Sequence, residues 1–223
     1  AKAAAPQKPG ERTTLALDGP WQIARADEKL PPPDVAVPME QPKAESAYTW
    51  TGITVPSDKN TERPDLLFAH RLWYRTKINV PASAQGHSFF LTFPQNSLNT
   101  TVYVNGQLCG FDKNPFARFE VDITKAIKPG QDNDVWVGIR DAWYGYSNNP
   151  KDPMKLRKVF NLQISYFHQG FQHLAYPIWG HPESGILNTP EFTIAGPVRA
   201  ADVFVRPWVS KHRLDVDVTL LNS

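Results

Sequence analysis

Apolar and polar residues alternate with a period of two through several short stretches of the chain. In LWYRTKINVP, one face is formed by Leu72, Tyr74, Thr76, Ile78 and Val80. Because successive side chains of a β-strand point to opposite faces, this pattern predicts a strand with one buried face. HSFFLTFP, TTVYVNGQLCGF, RFEVDI and NDVWVGIRD follow at short intervals. Together these segments predict an all-β fold.

The segment VYVNGQLCG, from Val102 to Gly110, contains Asn105-Gly106 between two alternating apolar runs. Asn-Gly tolerates the positive φ angles of a type I′ turn, and between strand-forming residues it is the strongest short-range hairpin signal. We therefore predict two adjacent antiparallel strands. The single cysteine, Cys109, cannot form an internal disulfide, and we interpret it as a small packing residue.

Two stretches depart from the strand pattern. Residues 28–66 are rich in proline, which favours a loop that wraps a surface, anchored by Trp50, over a central strand. Residues 142–183 are rich in aromatic residues, His and Asn. Loops longer than ~15 residues are usually functional or disordered, and this one has too many aromatic residues for disorder. We therefore expect the 142–183 segment to contact the substrate or another domain of the parent protein.

Strand patterns also occur near both ends of the chain. Leu15 to Trp21 predicts a strand around an Asp18-Gly19 turn. EFTIAG, ADVFVRP and RLDVDVTLLNS predict the last strands. Because the final strand has no following partner in the sequence, we interpret the residues after about Arg206 as the first strands of a second module.

Charge and hydropathy narrow the range of partners. The 24 basic and 22 acidic residues leave a net charge of +2, and no apolar run approaches the ~20 residues of a membrane helix. We therefore predict neither a nucleic-acid nor a membrane partner. The Ala-rich, Pro-containing start fits a mature secreted or periplasmic protein, although a trimmed cytoplasmic chain would look the same.

The order of the motifs adds a resemblance to a known family. FAHRLWYRTKINVP, LTFPQNSLNTTVYVNGQLCGF, NPFARFEVDITKAIKPGQDNDVWVGIRD and SGILNTPEFTIAGPVRAADVFVRP resemble the N-terminal sugar-binding domain of glycoside hydrolase family 2. This family contains β-galactosidases, β-glucuronidases and β-mannosidases. The composition of residues 1–14 predicts a flexible arm. The resemblance implies a galactose-binding-domain-like jelly-roll β-sandwich over 15–200 and the start of an incomplete immunoglobulin-like sandwich over 201–223.

In members of this family a TIM barrel with an acid/base glutamate and a nucleophile glutamate follows the two sandwiches. The resemblance implies that this chain is the non-catalytic first domain of a retaining β-glycosidase, most similar to a β-galactosidase. The implied partners are a carbohydrate with a terminal β-linked sugar and the parent's immunoglobulin-like and TIM-barrel domains. A homo-oligomer is compatible with it. No cofactor is required, and a structural calcium held by loop oxygens is compatible with the sequence.

The segment SGI is one point where the chain departs from the family. In β-galactosidases and β-glucuronidases an aspartate just before this segment often reaches the sugar subsite of the barrel. Ser184–Ile186 match SGI here, but Trp179 occupies the position six before the glycine, and Asn188 stands where an arginine often follows. His181 and Glu183 lie nearby and are the candidates to replace the aspartate.

A second group of candidates follows the strand NDVWVGIRD. Sugar sites combine an aromatic platform with carboxylates and amides that bind hydroxyls. The residues with these properties are Asp141, Trp143, Tyr144, Tyr146 and Asn148. We predict that they contact sugar; in the alternative interpretation, Arg140 and Asp141 tie down the loop while Trp143 packs.

Other functions have less support in the residues. His168, His173 and His181 show no H-x-x-x-H pair or adjoining acidic cluster, so we predict no metal site. Two alternatives to a glycosidase domain stay open. One is a stand-alone carbohydrate-binding module, and the other is a structural domain whose aromatic loop packs against another domain.

Overall fold

The computed structural model describes residues 2–3, 12–26, 37–67, 69, 71–97, 99–114, 117–140, 144–146, 156–158 and 183–222. The strands are β1 Lys2–Ala3, β2 Thr13–Ala16, β3 Gly19–Arg25, β4 Thr51–Val55, β5 Arg71–Val80, β6 Ser88–Phe93, β7 Asn99–Val104, β8 Gln107–Asp112, β9 Phe119–Asp122, β10 Gln131–Arg140, β11 Tyr144–Tyr146, β12 Leu156–Lys158, β13 Glu191–Ala195, β14 Val198–Trp208 and β15 Arg213–Asn222. The helical elements are α1 Lys59–Glu62 and 3₁₀ turns at Glu45–Ala47, Pro64–Leu66, Ala82–Ala84 and Val209–Lys211.

Two sheets form a β-sandwich. The larger sheet has the order β4-β3-β5-β10-β7-β8, with β1 paired in parallel to β5. The smaller sheet has the order β2-β13-β6-β9. Most spatial neighbours are distant in sequence because the chain repeatedly crosses between sheets, as it does in a jelly roll. The predicted all-β jelly-roll sandwich is confirmed.

The main core lies between the two sheets. Leu72 and Tyr74 of β5 are fully buried and belong to one cluster with Phe89 and Phe192 of the smaller sheet. The rings of Phe89 and Phe192 stack with centroids 6.1 Å apart. The alternation in LWYRTKINVP therefore reflects burial of one face of β5, as predicted, because its apolar side chains fill the space between the two sheets.

A second apolar cluster lies on the outer face of the larger sheet. Trp73 and Trp136 are buried there beneath Met39 of the 37–50 segment. Met39 N donates to Thr101 Oγ1 at 3.0 Å, and Tyr103 Oη donates to Met39 O at 3.0 Å. This segment wraps the sheet as predicted, and Trp50 anchors it by an edge contact with Trp136 at 4.9 Å between ring centroids.

The rest of the proline-rich stretch is more regular than the sequence indicated. Thr51–Val55 forms the edge strand β4, and Lys59–Glu62 forms α1. Among the described strands β4 pairs with β3 alone, so the prolines that flank it do not interrupt a central strand. The interpretation of all of 28–66 as loop is thus wrong for these two elements.

The predicted hairpin is present, and its strands β7 and β8 are adjacent. Asn105 and Gly106 have φ angles of 50° and 82°, so both adopt the positive values that a type I′ turn requires. Cys109 packs against the core as predicted. Burial, assisted by the nearby Asp122 carboxylate, raises the pKa of the Cys109 thiol above its ordinary value, which makes the thiol less reactive.

The two ends of the chain add further strands. The predicted strand from Leu15 to Trp21 is divided between the sheets: β2 belongs to the smaller sheet and β3 to the larger one. Gly19 adopts a φ of 102° at the crossing. The first of the predicted last strands is β13, which lies between β2 and β6 in the smaller sheet. The other two are β14 and β15, which pair with each other as an exposed hairpin. No helix among the described residues is long and apolar enough to cross a membrane.

Candidate functional site at one end of the sandwich

The structure describes only part of the predicted sugar-contact group. Asp141, Trp143 and His181 lie outside the described residues. Tyr144 begins β11, where it stands opposite Lys158 of β12. Glu183 is exposed and directly precedes the SGI segment. Their joint contact with a sugar therefore stays a prediction. The structure describes the residues at the two ends of this stretch, Arg140 and Glu183, and the contacts around them.

The SGI segment is held on one side by residues that precede and begin α1. Ser184 N donates to Asp58 Oδ1 at 3.0 Å, and Lys59 N donates to Ser184 O at 2.6 Å. Two residues further on, Ser57 N donates to Ile186 O at 3.0 Å. These contacts fix the backbone that directly follows Glu183.

On the other side, the same segment is bound by residues that precede β7. Gly185 N donates to Ser97 Oγ at 2.7 Å, and Ser97 N donates back to Gly185 O at 3.0 Å. Leu187 N donates to Gln95 O at 3.0 Å, and the side chain of Asn188 donates to Gln95 Oε1 at 3.0 Å. The segment is therefore clamped between two loops, and we call Glu183–Asn188 the clamped segment.

Glycine is required at the centre of the clamped segment. Gly185 has a φ of 119°, in the region that L side chains rarely adopt. A Cβ atom at this position would lie 2.5 Å from Tyr74 Oη and 3.3 Å from Ser57 O. The glycine of SGI thus allows the backbone to pass directly over the buried tyrosine.

Asp58 joins the helix start to the clamped segment. It is the N-cap of α1, and its Oδ1 accepts from Asn60 N at 3.0 Å as well as from Ser184 N. Its other carboxylate oxygen accepts from Thr61 Oγ1 at 2.9 Å. One carboxylate therefore satisfies amide groups of both elements.

Lys59 supports the same region from inside. Its side chain is fully buried, and Nζ donates to the carbonyls of Leu66 and Ala69 at 2.8 and 3.0 Å. Carbonyl oxygens at these distances compensate the cost of removing an ammonium group from water. The loop that follows α1 is therefore tied to the helix and, through Lys59 N, to Ser184.

A row of buried polar residues marks the end of the larger sheet. Arg140 is the last residue of β10, and it stands opposite Arg71 of β5 and Asn99 of β7. Arg140 Nη1 also donates to Val37 O. Since Asn99 lies only two residues after Ser97, the end of β10 and the clamped segment meet at the same end of the sandwich. Arg140 and Glu183, the described residues on either side of the long aromatic stretch, thus lie at one end of the fold.

Sequence reasoning missed the residues that build the clamp. Asp58, Lys59 and Ser97 were not among the candidates, and the stretch containing Asp58 was interpreted as loop. The available signal was SDKNTE, in which an aspartate precedes a short polar run in the manner of an N-cap. Nothing local to Ser97 indicates its contact with Gly185, which is 88 residues away.

The described residues offer no cation site. They include no group of three or more His, Cys, Asp or Glu side chains arranged to hold a metal ion. The described polar groups at this end of the sandwich are buried guanidinium, ammonium, amide and hydroxyl groups, the hydrogen-bonded carboxylate of Asp58 and the exposed carboxylate of Glu183.

The family model described as "glycosyl hydrolase 2 galactose-binding domain-like" matches residues 40–167, which are more than half of the 223-residue chain. The chain belongs to this family. The match includes the hairpin, β10 and most of the segment that follows Arg140. The resemblance inferred from the motifs is therefore confirmed.

Curated relatives of this glycosyl hydrolase 2 domain are longer proteins. A β-glucuronidase of Formosa agariphila is 24% identical over 143 residues, which are 59% of this chain and 14% of that protein. A β-glucuronidase of Paenibacillus borealis is 26% identical over 145 residues, which are 60% of this chain and 24% of that protein. The chain thus spans less than a quarter of the length of either relative.

Solved structures show the same fold. The Lactobacillus rhamnosus β-glucuronidase superimposes with a TM-score of 0.65 at 19% identity, over 97% of this chain and 34% of that one. The Faecalibacterium prausnitzii β-glucuronidase gives 0.62 at 22% identity, over 99% and 37%. At these identities the likeness establishes the architecture of this glycosyl hydrolase 2 domain.

Proposed function

We propose that this chain is the N-terminal, non-catalytic sugar-binding domain of a larger retaining β-glycosidase. Its predicted sugar-contact residues, Asp141, Trp143, Tyr144, His181 and Glu183, form part of the rim of the sugar site. The observation that supports this proposal is the clamp, because it holds the backbone next to Glu183 at the same end of the sandwich as the end of β10. Pre-organised groups on a rigid scaffold are what a specific rim requires.

The substrate of the longer protein is a terminal β-linked sugar. The sequence favoured a β-galactoside, whereas the similar curated proteins and solved structures are named β-glucuronidases. We therefore propose a β-glucuronide as the preferred substrate and retain the β-galactoside as the alternative. Hydrolysis itself uses two carboxyl groups of a barrel that follows this domain, in the manner of retaining glycosidases.

The hairpin β14–β15 supports the proposed order of domains. Its cross-strand pairs Val203–Val218, Val205–Val216 and Pro207–Leu214 give one apolar face. The other face includes the pairs Phe204–Asp217 and Arg206–Asp215. An antiparallel sheet with one apolar and one polar face packs its apolar face against another layer. We propose that further strands of an immunoglobulin-like sandwich cover it in the longer protein.

Kinetics of the longer protein test the proposal. Nitrophenyl β-glucuronide, β-galactoside and β-mannoside are compared by kcat/KM, and we expect the glucuronide to be preferred by about 100-fold or more. A preference for the galactoside would replace the substrate but keep the domain's proposed function. Absence of hydrolysis of all β-glycosides, with sugar binding by this chain alone, would replace the glycosidase proposal with the stand-alone module.

The rim is tested separately in the same protein. Glu183→Gln removes the exposed carboxylate at the start of the clamped segment, and we expect KM to rise about tenfold with a smaller change in kcat. Asp132→Asn is the matched control, because Asp132 lies at the opposite end of β10 from Arg140. Equal kinetics of the wild type and Glu183→Gln would remove Glu183 from the rim.

A further inference from the structure

A polar cleft lies on the outer face of the larger sheet, six residues along β10 from Arg140. Its volume is about 400 Å³, and its lining includes Pro20, Gln22, Arg75, Lys77 and Asp134. Clefts that bind small ligands usually have volumes of roughly 300–1,000 Å³. The space is therefore sufficient for a small polar ligand.

The cleft arises from the register of three neighbouring strands. Gln22 of β3 stands opposite Arg75 of β5, and Lys77 of β5 stands opposite Asp134 of β10. Residues opposite each other in antiparallel strands project from the same face of the sheet. Arg75 and Lys77 are two residues apart and roughly 6.8 Å from each other along the strand. The sheet thus presents two cationic groups side by side, each next to a polar neighbour.

The guanidinium of Arg75 is held in position. Its Nε donates to Gln22 Oε1 at 2.7 Å, and its Cζ lies 4.1 Å from the ring centroid of Trp50. Trp136 lies on the same side, with its ring centroid 5.9 Å from Cζ. Stacking on an aromatic ring together with a hydrogen bond restricts the rotamers of an arginine, so less entropy is lost when it binds an anion.

Lys77 is held much less tightly. Its ammonium lies 3.8 Å from Asp134 Oδ1, and the two side chains are 60% and 48% exposed. An exposed ion pair at this separation contributes little, so water or a ligand replaces it at low cost. Lys77 is therefore able to turn toward an anion bound at Arg75, while Asp134 remains to accept hydrogen bonds.

We infer that this cleft binds a carboxylated saccharide through Arg75 and Lys77. A planar carboxylate matches the fork of N–H groups on a guanidinium, and the ammonium adds a second positive charge. Gln22 and Asp134 are suited to the hydroxyl groups of a pyranose ring, and Pro20 supplies an apolar edge for its C–H groups.

Affinity electrophoresis of this chain in gels with and without polymer tests the inference. Polygalacturonate carries a carboxylate on each sugar, and its fully methyl-esterified form is the neutral match. We expect retardation by the free acid and none by the ester. Arg75→Gln and Lys77→Gln should each weaken the apparent affinity for the acid by about tenfold. Lys211→Gln, which removes the same charge from the exposed β14–β15 turn, should leave it unchanged.

Three outcomes would overturn the inference. The first is equal retardation by the acid and the ester, and the second is no retardation by either. The third is equal weakening by Lys211→Gln and Lys77→Gln, since this would assign binding to overall charge. Circular dichroism of each variant identifies loss of fold, and Lys77→Gln is the decisive variant because its side chain is mostly exposed. Because no hydrolysis is measured, failure here is distinguishable from failure of the proposed glycosidase function.

Discussion

Ser184 N donates a 3.0 Å hydrogen bond to Asp58 Oδ1, although the two residues are 126 positions apart in the chain. The same carboxylate caps α1 through Asn60 N and Thr61 Oγ1. One side chain therefore supports both the helix start and the clamped segment. Loss of this side chain should affect both elements together.

We expect Asp58→Ala to lower the free energy of unfolding of the chain by about 3 kcal/mol, from the lost cap and the unsatisfied Ser184 amide. Urea unfolding measures this change. Hydrogen exchange at Ser184 should also become faster than at core amides such as that of Leu91. Asp65→Ala is the control, because Asp65 pairs with Arg63 but its side chain is 59% exposed, and its loss should be clearly smaller than that of Asp58→Ala. Equal losses for the two variants would contradict the special position of Asp58.

The backbone at Gly185 should tolerate no side chain. Gly185→Ala places a Cβ 2.5 Å from Tyr74 Oη at a φ of 119°, so we expect a loss of about 3 kcal/mol in unfolding free energy. Gly86→Ala is the matched control: it has a positive φ of 82°, but nothing lies within 4 Å of the added Cβ. It should lose about 1 kcal/mol through backbone strain alone. Partial recovery of Gly185→Ala by Tyr74→Phe would confirm that the hydroxyl is the obstacle.

Strands with a strict alternation could be predicted because their local pattern and their tertiary burial agree. The faces of β5 and the turn at Asn105-Gly106 are of this kind, since each depends on residues that are adjacent in sequence. The division of Leu15 to Trp21 between two sheets could not be predicted, because both halves have strand character and only long-range pairing separates them. The edge strand Thr51–Val55 was hidden for a similar reason, since prolines surround a strand with a single partner.

The candidate site illustrates a different limit. Glu183 could be selected from the sequence because its carboxylate can bind sugar hydroxyls and lies next to the SGI motif of the family. The residues that position it are Asp58, Lys59 and Ser97, and their contacts join loops that are far apart along the chain. Such contacts leave no periodic signal, so they become visible only in the folded chain.

Acid should weaken the connection between β14 and the smaller sheet. Arg199 lies with its Cζ 3.9 Å from the ring centroid of Phe90 and bonds Glu120 Oε1 at 2.7 Å. Burial opposes ionisation of Glu120, but hydrogen bonds from Arg118 and Arg199 outweigh it and hold the carboxyl pKa below its ordinary value. A lowered folded pKa stabilises the protein above the unfolded value of 4.5, and this contribution is lost as the pH falls through the folded pKa.

A double-mutant cycle of Glu120→Gln and Arg199→Met measures this effect. At pH 7 we expect a coupling of about 1–2 kcal/mol in unfolding free energy, which decreases as the pH falls below about 4.5. The exposed pair Arg206–Asp217 is the comparison, with an expected coupling below about 0.5 kcal/mol. A coupling between Glu120 and Arg199 that stayed constant down to pH 3 would show that ionisation of the glutamate contributes nothing.

Asn105 serves more than the turn that its sequence predicts. Its Nδ2 donates to Ala126 O at 2.8 Å and to Asn133 Oδ1 at 2.7 Å, and its Oδ1 accepts from Asp134 N at 3.0 Å. Glycine adopts positive φ at least as readily as asparagine, so Asn105→Gly keeps the turn while it removes these three contacts.

We expect Asn105→Gly to lower the unfolding free energy by about 2 kcal/mol, and Asn105→Ala by about 1 kcal/mol more, because alanine adds strain at positive φ. Chemical denaturation of the two variants and of Gln107→Ala, an exposed neighbour of the turn, provides the comparison. Gln107→Ala should stay within about 0.5 kcal/mol of the wild type. If Asn105→Gly were as stable as the wild type, the asparagine would be needed for turn conformation alone, and its bonds to the 126–134 region would contribute no net stability.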